Sequence, residues 1–263
     1  MPYANNNGVK IYYEVEGQGP PLVLAYGGTD GGSGWRTSGY VDALRNDFQM
    51  ILFDFRGCGR SDKPHEASAF DRRLINNDVL AILGDLGIER AHYFGYSGGA
   101  ITGWLLAVHH AERFLSFILG GLGPYGFSNA SLRGLREVVQ GLKLKLADPE
   151  AYVQRRERTL GRPFTPEERA SLLAGDAAAL GPFIQSSLEW QPLTNQELSG
   201  ISVPCLVFCG DIDSNHTGAK ESVEHMSKAS FVSLPGLDHF TALYRSDLVL
   251  PHVKEFLAQA SKM

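Results

Sequence analysis

His92-Tyr93-Phe94-Gly95-Tyr96-Ser97-Gly98-Gly99-Ala100-Ile101-Thr102-Gly103-Trp104-Leu105-Leu106-Ala107-Val108-His109-His110 is the stretch that decides the fold. His92–Tyr96 is a short apolar and aromatic run, as in a strand buried on both faces. Ala100–His110 has helical length. Between them, Gly95-Tyr96-Ser97-Gly98-Gly99 fits G-x-S-x-G. In a chain with 30 glycines, chance alone gives about 0.3 such matches, so the bare motif is weak. A strand directly before it and a helix directly after it are the setting of a nucleophile elbow. Such a turn lifts the serine into an exposed, strained position. Glycines on either side let strand and helix approach closely. The rival reading is a plain glycine-rich turn.

Outward from this stretch, short apolar runs recur at Val9–Val15, Pro21–Tyr26, Met50–Phe55, Leu115–Leu119, Val203–Cys209 and Ser230–Leu234. Asn6-Asn7-Gly8 reads as a hairpin turn before the first of them. Segments of helical period lie between, at Phe70–Leu86, Gly218–Lys228 and Ser246–Ala260. Ser246 and Asp247 are candidate caps for the last, with Pro251 marking its first turn. Strands alternating with helices predict an α/β fold with a mainly parallel sheet.

One region breaks the alternation. Between Leu122 and Gly200 no strand is expected. Ser131–Leu146, Asp148–Leu160 and Thr165–Leu180 read as helices, the last opened by Thr165-Pro166-Glu167-Glu168. An insertion of this length is too long for an ordinary connection. Its Lys143, Lys145, Arg155, Arg156 and Arg158 are expected on a solvated face.

A serine needs a base. His109, His110, His225 and His252 fall in helical stretches and read as surface residues. His92 opens a strand, and His65 lies in a polar loop. His239 follows Ser230–Leu234 in Leu234-Pro235-Gly236-Leu237-Asp238-His239, at a strand's carboxyl end, where a base belongs. The imidazole in turn needs a carboxylate. Gly210-Asp211-Ile212-Asp213 follows Val203–Cys209. Asp213 is the candidate, because Asp211 is expected to fix the turn through its own backbone and Asp238 to point elsewhere.

The order Ser97, Asp213, His239 is that of α/β-hydrolases. Here the chain resembles that family, of the serine esterase or lactonase type, over its whole length. Asp54-Phe55-Arg56-Gly57-Cys58-Gly59-Arg60-Ser61 resembles its D-x-R-G-x-G-x-S loop, Gly210–Asp213 its acid turn, and Gly236–His239 its G-x-x-H. The resemblance implies an eight-stranded, mostly parallel sheet formed by residues 1–121 and 201–263, under a helical cap at 122–200. It implies an oxyanion hole made by the amides of Gly98 and Gly28. Where the family usually carries His-Gly-x, this chain has Tyr26-Gly27-Gly28-Thr29. The glycine-rich run Gly27–Gly34 suggests a mobile loop. Gly98 stands where many relatives carry Met or Gln. Tyr26, Trp35, Tyr125, Phe127 and Trp190 are candidate pocket residues, each with a competing role in the core.

The implied activity is hydrolysis of a small carboxylic ester through an acyl-enzyme, with no metal or cofactor. A serine nucleophile argues against haloalkane dehalogenases and epoxide hydrolases. The Met1-Pro2-Tyr3-Ala4 start and modest cap are similar to those of 3-oxoadipate enol-lactonases. Carbon–carbon bond hydrolases and perhydrolases share the same three residues. Members of the fold that bind ligands or catalyse cyclisation without hydrolysis are a reading of a different class.

Composition sets the outer limits. The 263 residues are 43% hydrophobic and 20% charged, which excludes general disorder. A net charge of -5 gives no nucleic-acid footprint. No apolar window reaches membrane-spanning length. No signal peptide is expected at Met1–Asn7. Cys58, Cys205 and Cys209 are expected as buried thiols in a reducing cytoplasm. The expected partner is a small ester or lactone. Oligomeric state is not readable.

Overall fold

Tyr93, Phe94 and their neighbours on every strand of the sheet divide their side chains between two apolar layers, and this division builds the molecule. In the computed structural model, residues 2–27 and 32–262 are described, Ser171 by its backbone alone. The elements in chain order are β1 (Tyr3–Asn6), β2 (Val9–Glu16), β3 (Pro21–Ala25), α1 (Ser33–Thr37), α2 (Tyr40–Leu44), β4 (Gln49–Phe53), α3 (Arg72–Asp85), β5 (Ala91–Tyr96), α4 (Gly98–His109) and β6 (Phe114–Gly120). Then come α5 (Asn129–Ala147), α6 (Pro149–Leu160), α7 (Pro166–Ala174), α8 (Ala177–Leu188), α9 (Asn195–Ser199), β7 (Cys205–Gly210), α10 (His216–Ser222), β8 (Ala229–Leu234), α11 (Thr241–Tyr244) and α12 (Ser246–Ala260).

The eight strands form one sheet in the order β1-β2-β4-β3-β5-β6-β7-β8. β1 and β2 are antiparallel, as are β2 and β4; every later pairing is parallel. Asn7 and Gly8 both take positive φ, which makes the expected hairpin turn and adds β1. Successive strand residues face opposite layers. Val23, Ile51, Tyr93, Leu119 and Val207 pack with α3 and α4 on one side. Leu22, Leu52, Phe94, Ile118 and Phe208 pack with α2 and α12 on the other. β5 and β7 are buried at every residue, as central parallel strands must be. The parallel register pairs Ala25 with Gly95, Tyr96 with Gly120, Gly120 with Phe208, and Gly210 with Leu234. The carboxyl ends of β3, β5, β6, β7 and β8 therefore form one edge.

Four expectations need correction. Thr165–Leu180 is two helices: Gly175 leaves the helix, and the Asp176 side chain caps α8 by accepting from Ala178 N and Ala179 N at 3.0 and 3.1 Å. Gly218–Lys228 is α10 followed by a 3₁₀ turn at Val223–His225. Pro251 lies inside α12, whose first turn begins at Ser246 with no side-chain cap; Asp247 instead pairs with Arg245 at 2.8 Å. The burial of Val249, Val253 and Leu257 holds this helix through the proline. Finally, Lys145 is not solvated. Its Nζ donates to Leu172 O (3.0 Å) and Gly175 O (2.7 Å), capping the end of α7, and burial lowers its pKa. Lys143, Arg156 and Arg158 are exposed, and Arg155 is half-buried. From Leu122 to Gly200 the chain forms α5–α9 and no strand. α9 was not anticipated, although Thr194 and Glu197 form a capping box that signals it.

Candidate active site

Ser97 directly follows β5 and has φ 52° and ψ −112°, one of two non-glycine residues with positive φ among those described. Steric contacts hold it there. A Cβ on Gly95 would lie 2.4 Å from Gly99 O, and one on Gly99 would lie 2.0 Å from Ala25 O. Both neighbours are backbone, so only glycine fits. Ser97 N donates to Gly120 O at 2.9 Å, tying the turn to β6. Gly98 opens α4, and first-turn amides have no acceptor within their own helix.

His239 lies in the loop after β8, and Asp213 in the loop after β7. His239 Nε2 is 2.9 Å from Ser97 Oγ, and Nδ1 is 2.8 Å from Asp213 Oδ2. The Asp213 side chain is 1% exposed and that of His239 26%. The structure thus brings the three sequence candidates into one hydrogen-bonded chain. Gly210 is what lets the two loops meet, because a Cβ there would lie 1.9 Å from Leu237 O. Asp211 accepts from Gly236 N at 2.7 Å, so it pins the His239 loop rather than its own turn. Asp238 accepts from Phe240 N, Thr241 N and Thr241 Oγ1, pointing away as expected.

Two supporting residues escaped the sequence reading. The Tyr96 hydroxyl donates to His239 O at 2.6 Å, its ring 5.5 Å from the imidazole. Burial pushes this phenol far up, so it remains a donor. Asn215 N and Nδ2 donate to Asp213 Oδ1 at 2.9 and 3.0 Å. An Asn two residues past a candidate acid was the available signal.

Gly28, with residues 28–31 of the Gly27–Gly34 run expected to form a mobile loop, lies outside the described residues, which resume at Gly32. Gly27 runs beside Ser97, since a Cβ on it would lie 2.6 Å from Ser97 Cβ. Beyond the gap, Gly32 N donates to Asp54 Oδ1 (3.0 Å), and Arg60 N to Asp54 Oδ2 (2.8 Å). Arg56 forms a buried pair with Asp78, at 2.7 Å from Nε and 2.5 Å from Nη2. Asp54 thereby ties Gly32 to Arg60 of its own motif, and Arg56 anchors the motif to α3.

The aromatic candidates separate. Trp35 has no exposed surface, packing against Tyr26, Tyr40 and Phe94 with centroids 4.6–5.8 Å apart. The Tyr26 ring lies where a Cβ on Gly34 would be 2.1 Å from it. Both are core residues, a correction to their reading as pocket lining. Tyr125 and Phe127 are half-buried; the Tyr125 hydroxyl donates to Asn195 (2.8 Å), and Phe127 meets Trp190 edge-on at 6.4 Å. Trp190 is buried and borders a groove of about 650 Å³ with Phe70, Leu105 and Pro182, away from Ser97, Asp213 and His239.

The remaining histidines also separate. His92 is buried against Ser116 Oγ at 2.7 Å, and burial pushes it down to about 4. His109, His225 and His252 are exposed and His110 half-buried, while His65 faces Asp176 at 3.2 Å and the half-buried His216 faces Ser233 Oγ at 2.9 Å.

This geometry defines a class. A family profile described as alpha/beta hydrolase fold matches residues 20–214, and the chain belongs to that family. His239 lies beyond the matched span. Among individual relatives, the chain is 31% identical over 183 residues to a protein of Azorhizobium caulinodans named "Putative carbamate hydrolase RutD". That match covers 68% of this chain and 65% of the relative's own length. The enol-lactonase from Burkholderia xenovorans LB400 superposes with a TM-score of 0.74 at 26% identity, covering 98% of this chain and 100% of that one. A carboxylesterase structure from Nitrososphaera gargenis gives 0.80 at 18% identity over 99% of each chain, a likeness of fold alone. No helix among the described residues is long and apolar enough to cross a membrane.

Proposed function

We propose that the protein is a serine hydrolase that cleaves a small carboxylic ester or lactone. The observation that carries this reading is the unbroken chain Asp213–His239–Ser97, ending on a serine at positive φ beside the start of α4. Ser97 Oγ attacks the carbonyl carbon as His239 Nε2 takes its proton. Asp213 holds Nδ1–H and stabilises the imidazolium. The Gly98 amide, with that of Gly28 by its place after Gly27, receives the developing oxyanion. His239 then protonates the leaving oxygen. A water attacks the acyl carbon as His239 takes its proton; His239 then returns that proton to Ser97 Oγ as the carboxylic acid leaves. The helical segment 122–200 serves as a cap that shapes the pocket, with Tyr125 and Phe127 as its candidate contacts. A lactone is a cyclic ester, and the same steps open its ring; the 26% identity to an enol-lactonase supports including it. Three buried thiols suit a reducing compartment, and the cytoplasm is the proposed location.

The test is fluorophosphonate labelling, read by intact mass, with a panel of esters and lactones. One adduct is expected on the wild type and none on Ser97→Ala, whose turnover should fall by roughly 10⁶. An unlabelled, folded wild-type protein would overturn the hydrolase reading in favour of a ligand-binding or cyclising member of the fold.

A further inference from the structure

We infer that Asn215 is a positioning residue for the Asp213 carboxylate, and that the start of α5 sets the orientation in which it acts. The inference rests on the reaction proposed above. The two oxygens of Asp213 have separate duties. Oδ1 accepts from Asn215 N and Nδ2, while Oδ2 accepts from His239 Nδ1 and, at 3.5 Å, from Cys209 Sγ. Asn215 thus fixes the rotation that turns Oδ2 onto the imidazole.

An amide side chain can present either a donor or an acceptor, and its orientation follows from its partners. Here two backbone groups leave no choice. Ser128 N–H can only donate, and it lies 3.2 Å from Asn215 Oδ1. Gly121 C=O can only accept, and it lies 3.4 Å from Nδ2. Ser131 Oγ adds a second donor to Oδ1 at 3.4 Å. A flipped amide would set oxygen against both Asp213 Oδ1 and Gly121 O, and N–H against N–H at Ser128. Asn215 is 7% exposed, so water does not readily replace these partners.

Ser128 is the N-cap of α5, accepting from Ser131 N at 3.1 Å, and its hydroxyl donates to Ser214 at 2.8 Å. The first helix of the strand-free segment is therefore hydrogen-bonded to the loop that carries the acid. Displacing α5 removes the amide that orients Asn215. The titratable groups facing Asp213 are His239, Cys209 and Tyr96. Burial, reinforced by Asp213 itself, raises both the thiol and the phenol, so both stay protonated in the neutral range.

The experiment compares kcat, KM and their pH dependence for p-nitrophenyl acetate in the wild type, N215L, N215D, S128P and S128A, with Ser97→Ala as the blank and thermal unfolding as the check on folding. N215L removes one charge-assisted donor and should lower kcat roughly 10- to 100-fold with little change in KM, equally at all pH. N215D sets two carboxylates together and should lose more at neutral pH. Its deficit against wild type should narrow as the pH falls, because the introduced carboxyl, once protonated, donates again. S128P removes both the amide and the capping hydroxyl, at a residue that already has φ −59°, and should lose kcat several-fold beyond S128A, which removes the hydroxyl and keeps the amide. Wild-type kcat and pH dependence in N215L and N215D, with Ser97→Ala inactive, would overturn the inference alone. Undiminished turnover in Ser97→Ala would overturn the proposed reaction and the positioning role with it. Should N215L fail to fold, N215D and S128P decide.

Discussion

The carboxyl edge of the sheet and the helical segment α5–α8 both contain glycines, and only those of the edge are enforced by close backbone contacts. At the edge, Gly95, Gly99 and Gly210 have backbone where a Cβ would sit, at 2.4, 2.0 and 1.9 Å. In α5, Gly134 has nothing within 4 Å. The edge is over-determined by main-chain contacts, and that holds Ser97 strained and the His239 loop close. The helical segment rests on caps, on Lys145 and on surface pairs such as Arg162 with Glu168, and it leaves Val138, Leu146 and Leu160 exposed. Chemistry needs the first kind of region, because misplacement of about 1 Å can cost 10²-fold in rate.

Gly210→Ala tests the contrast most severely. Its Cβ must displace Leu237 O, and with it the loop bearing His239. Steady-state kinetics should show kcat down by about 10²-fold or more. A kcat near wild type would mean that the edge can yield, and the comparison would fail.

The next effect belongs to the amino end of β5, where His92 is buried and pushed down to about 4. The unfolded chain binds that proton near the ordinary histidine value of about 6.5. Stability is therefore full above about 6.5 and falls as the pH drops towards 4, by up to about 3 kcal/mol. Melting temperature against pH should show this decline, and His92→Gln should flatten it.

In the helical segment the expected effects are smaller. Lys145→Met deletes the Nζ bonds to Leu172 O and Gly175 O, and should cost about 1–3 kcal/mol in denaturant unfolding. It should alter KM more than kcat, because it loosens the far end of α5 and leaves the Ser128 end, with its bond to Asn215, in place. Gly134→Ala should reverse the sign, stabilising the protein by about 0.4–1 kcal/mol through helix propensity and unfolded-state entropy. Destabilisation by Gly134→Ala would show that α5 is packed more tightly than this comparison holds.

Much of the fold was legible because β5 and β7 are central parallel strands, and such strands read as continuous apolar runs. The serine, histidine and aspartate candidates were legible because each stands just past such a run. Pro251 misled because local propensity assigns proline to a first turn, while burial of Val249, Val253 and Leu257 carries α12 through it. Lys145 misled because a helical wheel cannot see α7 ending beside it. Trp35 and Tyr26 looked like pocket residues from their place after β3, but their rings turn into the layer beneath the sheet.

Sequence by itself determined the α/β order, the elbow at Ser97, the loops that bear Asp213 and His239, and a strand-free segment between residues 122 and 200. These are properties of periodicity, glycine placement and position relative to strand ends, all local in the chain. Only the tertiary structure decided that Tyr96 supports the His239 carbonyl, that Asp211 pins the neighbouring loop, and that Asn215 joins Asp213 to the start of α5. Each of those contacts is made across the fold, and Asn215 meets residues 87 and 94 positions away. A hydrogen bond has no signature at such separations until the sheet brings its two ends together.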